Sequence, residues 1–143
     1  MQESVSNSEE ETISAATDLI KSLPKKTSLI CLFGDLGSGK TVFVKGMAKA
    51  LEIENYTIKS PTYTFVREYI HKKGKLIHVD LYRLDAPDDL LIDQIEEFLG
   101  QPSTLVVIEW ADRIKDNLND LAEKRTDICL EYIDKDKRKI TIF

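Results

Sequence analysis

The sequence has 143 residues, a formal net charge of -5, 42% hydrophobic residues and 31% charged ones. That is the length of one domain and an ordinary globular composition, which excludes a disordered chain and leaves no room for a second core. No run approaches the roughly 20 apolar residues of a membrane span, and the acidic balance argues against gripping bare nucleic acid by charge, which needs clustered Lys and Arg.

The opening Met1-Gln2-Glu3-Ser4-Val5 has neither the basic start nor the apolar stretch of a secretory signal, so a cytoplasmic protein is expected. Ser8-Glu9-Glu10-Glu11 is a capping-box pattern. Thr12, Ala16, Leu19, Ile20 and Leu23 then fall near helical spacing until Pro24 stops the run. Residues 28–33 are a short unbroken apolar run, the mark of a strand buried on both faces. A Gly-rich turn follows, and Val42, Phe43, Met47, Ala48 and Leu51 recur with helical period over 41–51.

Ser60-Pro61-Thr62 reads as a loop entering a strand over 63–70. Lys72-Lys73-Gly74 turns the chain into a second strand over 76–81, so the two are expected to pair as a hairpin. Pro87-Asp88-Asp89 opens a helix, with Pro in the first turn and acids at the positive end of the dipole. Its buried stripe is Leu91, Ile92, Ile95, Phe98 and Leu99, and Gly100 is its C-cap. Residues 105–108 form another buried strand, ending in Glu109-Trp110, and residues 127–133 and 139–143 a C-terminal hairpin. The expected fold is a single α/β domain over 1–143, a mixed, mostly parallel sheet flanked by helices.

Gly34-Asp35-Leu36-Gly37-Ser38-Gly39-Lys40-Thr41 matches the phosphate-binding loop G-x-x-x-x-G-K-[ST] in full, between an apolar strand and an amphipathic helix. Glycines let the backbone curl until successive N–H groups face an anion, and the following helix adds its own free N–H groups. Lys40 is placed for the β and γ phosphates of a nucleoside triphosphate, and the Thr41 hydroxyl for Mg²⁺. The expected fold is therefore a P-loop NTPase. No Asn-Lys-x-Asp element of the kind that reads guanine is present, which favours ATP.

A phosphate loop needs an acid for its metal, usually at the end of an adjacent strand. Asp80 and Glu109 both end apolar strands, where a carboxylate is costly unless it meets a cation or donors. Asp80 has a structural alternative, as partner of Arg83 or of a backbone amide. Trp110, the only tryptophan, is either core or a lid beside the nucleotide. His71 reads as solvated, His78 as a satisfied structural histidine, and Lys72, Lys73 and Lys75 as a solvated turn. Cys31 and Cys129 stand far apart among apolar neighbours, which reads as two small buried hydrophobes.

Taken together, four stretches resemble the TsaE family, the bacterial ATPases of tRNA threonylcarbamoyladenosine biosynthesis. They are the loop of Gly34 to Thr41, Ser60-Pro61-Thr62-Tyr63-Thr64-Phe65-Val66, Asp80-Leu81-Tyr82-Arg83-Leu84, and Ile108-Glu109-Trp110. The resemblance implies a Mg²⁺-dependent ATP hydrolase acting with a TsaB–TsaD complex, which transfers a threonylcarbamoyl group to N6 of adenosine 37 in tRNAs reading ANN codons. Contact with tRNA would be indirect, through that complex. It further implies that Thr41 and Glu109 hold Mg²⁺, that Asp80, with Lys40 and Glu109, serves hydrolysis, and that residues 60–64 form a switch-like loop. Thr12, Trp110 and Arg138 would lie at the nucleotide.

Two departures stand out. Ala111 follows Glu109-Trp110 where the family often has Pro, and Asp93-Gln94-Ile95-Glu96-Glu97-Phe98 lacks the Gly that many members carry. Both bear on partner docking more than on the phosphate and metal residues. The arginines are scattered and none is marked as an arginine finger, so slow hydrolysis alone and stimulation by partners are expected. Two alternatives share the loop: a small-molecule kinase, and a nucleotide-dependent binding module that hardly hydrolyses.

Overall fold

The computed structural model describes residues 1–54, 58–59, 65–122 and 125–143. Eight strands form one sheet: β1 (Gln2–Ser6), β2 (Leu29–Phe33), β3 (Ile58–Lys59), β4 (Val66–His71), β5 (Gly74–Asp80), β6 (Thr104–Glu109), β7 (Arg125–Tyr132) and β8 (Arg138–Ile142). The helices are α1 (Glu9–Ser22), α2 (Lys40–Ala50), α3 (Asp89–Leu99) and α4 (Leu118–Leu121), with a 3-10 helix over Ala111–Asn117. Strand order is β1-β8-β7-β2-β6-β5-β4-β3. The centre, β7-β2-β6-β5, is parallel throughout, and the pairings beyond it on both sides are antiparallel. Following the pairings outward, only β4 and β8 run against the rest, so the sheet is mixed and mostly parallel.

Two layers of helix cover the sheet because its central strands are apolar on both faces. Leu29 and Cys31 of β2, Ile77 and Val79 of β5, and Val106 and Ile108 of β6 pack with α3, the 3-10 helix and α4. The alternate residues Ile30, Leu32, Leu76 and Val107 pack with Ala16 and Leu19 of α1 and Phe43 and Met47 of α2. A period of two across a doubly covered sheet produces this division.

Local signals set the helix ends. The Ser8 hydroxyl accepts from the Glu11 amide, while the Glu11 carboxylate reaches back to the Asn7 amide. The α3 cap is Asp88, whose carboxylate accepts from the Leu90 amide, so Pro87 stands just outside the helix rather than in its first turn. In α3 the stripe narrows: Leu91, Ile92 and Ile95 are buried, and Phe98 and Leu99 are partly buried against the same core. The hairpin of β4 and β5 forms as expected, with Val66 opposite Val79; Tyr63 and Thr64, at the start of the expected strand, lie outside the described residues.

β1, the 3-10 helix and α4 fall outside the elements read from the sequence. β1 is exposed along most of its length and is a strand because its backbone pairs with β8, Gln2 against Ile142 through Ser6 against Arg138. The 3-10 helix and α4 are short, and Ala111, Ile114, Leu118 and Leu121, spaced 3, 4 and 3 apart, seal one sheet face.

Candidate nucleotide-binding site

β2 delivers the chain to α2 through a loop with three glycines at positive φ: Gly34 (149°), Gly37 (80°) and Gly39 (100°). At Gly34 a side chain would collide with the Leu130 carbonyl and the Ser38 hydroxyl, so only glycine fits. Gly39 is the N-cap of α2 in the left-handed region.

The start of α2 differs from those of α1 and α3. α1 and α3 are capped by side chains and carry acids in the first turn, whereas α2 has no side-chain cap and no acid there. No side chain of its own caps its first N–H groups, and Gly39, Lys40 and Thr41 line a cleft of about 310 Å³. The local chemistry suits an anion.

Lys40 is 4% exposed. Its ammonium donates to the Gly34 carbonyl, to the Asp35 carbonyl at 2.9 Å and to Ser38 Oγ at 3.3 Å, and sits 4.1 Å from the centroid of the Trp110 ring. Burial pushes its pKa below the ordinary lysine value, against the pull of the Glu109, Asp35, Asp80 and Asp112 carboxylates. A buried cation whose acceptors are neutral gains from meeting phosphate oxygens.

The strand ends bring the two acids alongside. Glu109 lies between Leu32 of β2 and Asp80 of β5 in the sheet register. It is 2% exposed. Its Oε1 accepts from Thr41 Oγ1 at 2.9 Å, and its Oε2 lies 2.5 Å from His78 Nε2. A carboxylate only accepts, so the imidazole is the donor. Asp80 also borders the cleft, and its Oδ1 accepts from the Tyr82 amide at 3.0 Å, which realises the backbone-amide alternative without removing Asp80 from the site.

Trp110 takes both of its sequence readings. It packs on the core and lines the cleft, between Lys40 and Tyr82, whose ring centroid is 5.2 Å away. Its φ of 59° places it in the left-handed region at a cost of about 1–2 kcal/mol, which turns the ring back over Lys40 instead of continuing the strand.

Of the other expected residues, Leu36 and Gly37 line the same cleft, as does Arg138, whose side chain runs beside Gly39. The Arg138 guanidinium donates to the Asp134 and Lys137 carbonyls and leaves its buried Nε without a partner among the described residues. Gly34, Asp35 and Ser38 form the loop behind, holding Lys40. Thr12 is set apart: it is buried, its hydroxyl bonded to Ser6 Oγ at 2.7 Å, and it does not border the cleft. Ser60, Pro61, Thr62, Tyr63 and Thr64 lie outside the described residues.

The chain's spread of arginines is less even in space than in sequence. Arg113 stands 5.5 Å from the Trp110 ring, so it joins Arg138 near the cleft. His78 was readable as structural from its strand, but its bond to Glu109 depends on which strand lies next door. A larger cavity, about 850 Å³, lies between α1, β1 and β8 and is lined by none of the phosphate-loop or strand-end residues. Among the described residues no three His, Cys, Asp or Glu side chains gather to hold a metal. Mg²⁺ does not need such a cage, since it is usually held by one or two protein oxygens plus phosphate and water, and the adjoining Thr41 hydroxyl and Glu109 carboxylate are oxygens of that kind. No helix among the described residues is long and apolar enough to cross a membrane.

Comparison with known proteins shows the family. A family model described as "Threonylcarbamoyl adenosine biosynthesis protein TsaE" matches residues 6–140. The tRNA threonylcarbamoyladenosine biosynthesis protein TsaE of Aquifex aeolicus (strain VF5) is 40% identical, over 100% of this chain and 96% of its own length. That of Bacillus subtilis (strain 168) is 39% identical, over 92% of this chain and 78% of its own. A crystal structure of Bacillus subtilis YdiB matches with a TM-score of 0.73 at 32% identity, covering 99% of this chain and 83% of that one. The match runs from the strand that pairs beside Arg138 to the last hairpin and so takes in the glycine loop, both strand-end acids and Trp110: the chain belongs to the TsaE family.

Proposed function

We propose that this chain is a Mg²⁺-dependent ATPase of tRNA threonylcarbamoyladenosine biosynthesis, working with a TsaB–TsaD complex that modifies N6 of adenosine 37 in tRNAs reading ANN codons. The observation that carries the reading is the meeting, in one cleft, of an uncapped helix start, a buried lysine, a Thr–Glu oxygen pair and a second carboxylate.

The division of labour follows from the side chains. The α2 amides and Lys40 bind the triphosphate, with Lys40 giving up its carbonyl partners for phosphate oxygens. Thr41 and Glu109 hold Mg²⁺, which neutralises charge on the phosphates. Asp80, beside Glu109 at the end of β5, serves hydrolysis by orienting the attacking water or its neighbours. Trp110 shields the lysine side of the cleft from solvent. The net charge of -5 suits a protein that reaches tRNA through partners.

The test is Mg²⁺-ATP hydrolysis by the pure chain, alone and with TsaB, TsaD and tRNA, alongside Lys40→Ala and Asp80→Ala. The expected result is slow turnover alone, stimulation by the complex, and loss in both variants. ATP that is bound but neither hydrolysed nor affected by the partners would reduce the protein to a nucleotide-dependent binding module.

A further inference from the structure

His78 is a buried ionisable side chain in contact with the site, and the proposed reaction assigns it no role. It sits on β5, two residues before Asp80 and on the same sheet face, in a run that is otherwise apolar. It is 7% exposed, and β6 beside it supplies the carboxylate of Glu109. An imidazole whose only task is to be satisfied in a core can use any carbonyl. Here the partner is the carboxylate that also accepts from Thr41. The two oxygens are thereby divided, Oε2 to the histidine and Oε1 to the threonine.

We propose that His78 is a positioning residue that fixes the Glu109 carboxylate, so that its Oε1 faces Thr41 in the orientation the pair needs to take Mg²⁺. Without the imidazole donor, Oε2 is a buried anionic oxygen lacking a partner, which is costly. The carboxylate lowers that cost by turning its oxygens toward the cleft, and Oε1 then leaves Thr41. Partners that orient a metal-binding carboxylate or histidine in this way commonly govern affinity by 10- to 100-fold. The inference rests on the Mg²⁺-nucleotide reading of the site.

Trp110 is the only tryptophan in the chain and stands against Lys40, so its fluorescence reports on the cleft without any turnover. Mg²⁺ is titrated into the full-length protein with a non-hydrolysable ATP analogue, for the unsubstituted chain, His78→Leu and His78→Gln. His78→Leu is expected to raise the half-saturating Mg²⁺ concentration by about 10- to 100-fold. Analogue affinity in EDTA should change by less than about twofold, because the phosphate-binding amides and Lys40 are untouched. His78→Gln, which keeps an N–H donor, should return to within about threefold of the unsubstituted chain. Equal Mg²⁺ response in His78→Leu, or no recovery in His78→Gln, overturns the proposal.

If His78→Leu does not fold, the unsubstituted protein supplies the answer by ¹⁵N NMR of its two histidines. A proton on His78 Nε2 that shifts when Mg²⁺ and the analogue are added supports the role, and an unprotonated or unresponsive Nε2 overturns it. An unsubstituted chain with no Mg²⁺ response sinks the ATPase reading and this one together. A response there that His78→Leu shares sinks this one alone.

Discussion

Replacing Glu109 separates what its shape does from what its charge does. The carboxylate is 2% exposed and accepts from Thr41 and His78. Glu109→Ala leaves the buried His78 imidazole without its acceptor, at about 1–3 kcal/mol, while the exposed Thr41 hydroxyl can turn to water. The expected loss is therefore that of one buried donor at the edge of the cleft, about 2 kcal/mol. That corresponds to a fall in Tm of roughly 5–10 °C for a domain of this size. Glu109→Gln keeps an oxygen for Thr41, and the imidazole can move its proton to Nδ1 and accept from the new amide, so about 1 kcal/mol or less is expected. Both variants remove the charge that would hold Mg²⁺, worth several kcal/mol in the transition state, so hydrolysis should fall at least about 100-fold in each. Urea unfolding and a phosphate-release assay on the three proteins check this. Equal destabilisation by Ala and Gln would refute the hydrogen-bond account of the stability, and near-normal hydrolysis in Gln would refute the role of the charge.

Three further outcomes can be checked by stability and labelling. A Cβ at Gly46 would lie 2.6 Å from both the Ile13 carbonyl oxygen and the Ala16 Cβ, forcing α1 away from α2. Gly46→Ala should therefore destabilise the fold by about 1–3 kcal/mol despite the helix-propensity gain of about 1 kcal/mol, and a urea midpoint at or above that of the unsubstituted chain would contradict it. Burial, aided by the Asp127 carboxylate, pushes the Cys31 thiol from 9.0 up to about 12, so it should resist a thiol reagent at pH 8 while the protein is folded. Because the folded state holds that proton more tightly, its contribution is complete below pH 9.0 and is lost as pH rises toward about 12. The stability difference between the unsubstituted chain and Cys31→Ala should shrink across that range, and a pH-independent difference would refute the assignment.

The sequence by itself determined the elements whose signal is local. The Ser8 cap, the unbroken apolar run of β2, the hairpin of β4 and β5 and the glycine loop each depend on residues a few positions apart. The loop's need for glycine was legible because left-handed backbone excludes other side chains wherever it occurs. The family resemblance drew on the same short stretches.

What only the tertiary structure decided is which strand ends meet. β6 inserts between β2 and β5, and that order sets Glu109 beside both Thr41 and His78, residues 68 and 31 positions away in the chain. No periodicity within β6 specifies its neighbours. β1 is a strand through partners at the far end of the chain, and Thr12 is drawn into its contact with Ser6 instead of bordering the cleft. Pairing across a sheet is written in the joint burial of many distant residues, and a local window cannot contain it.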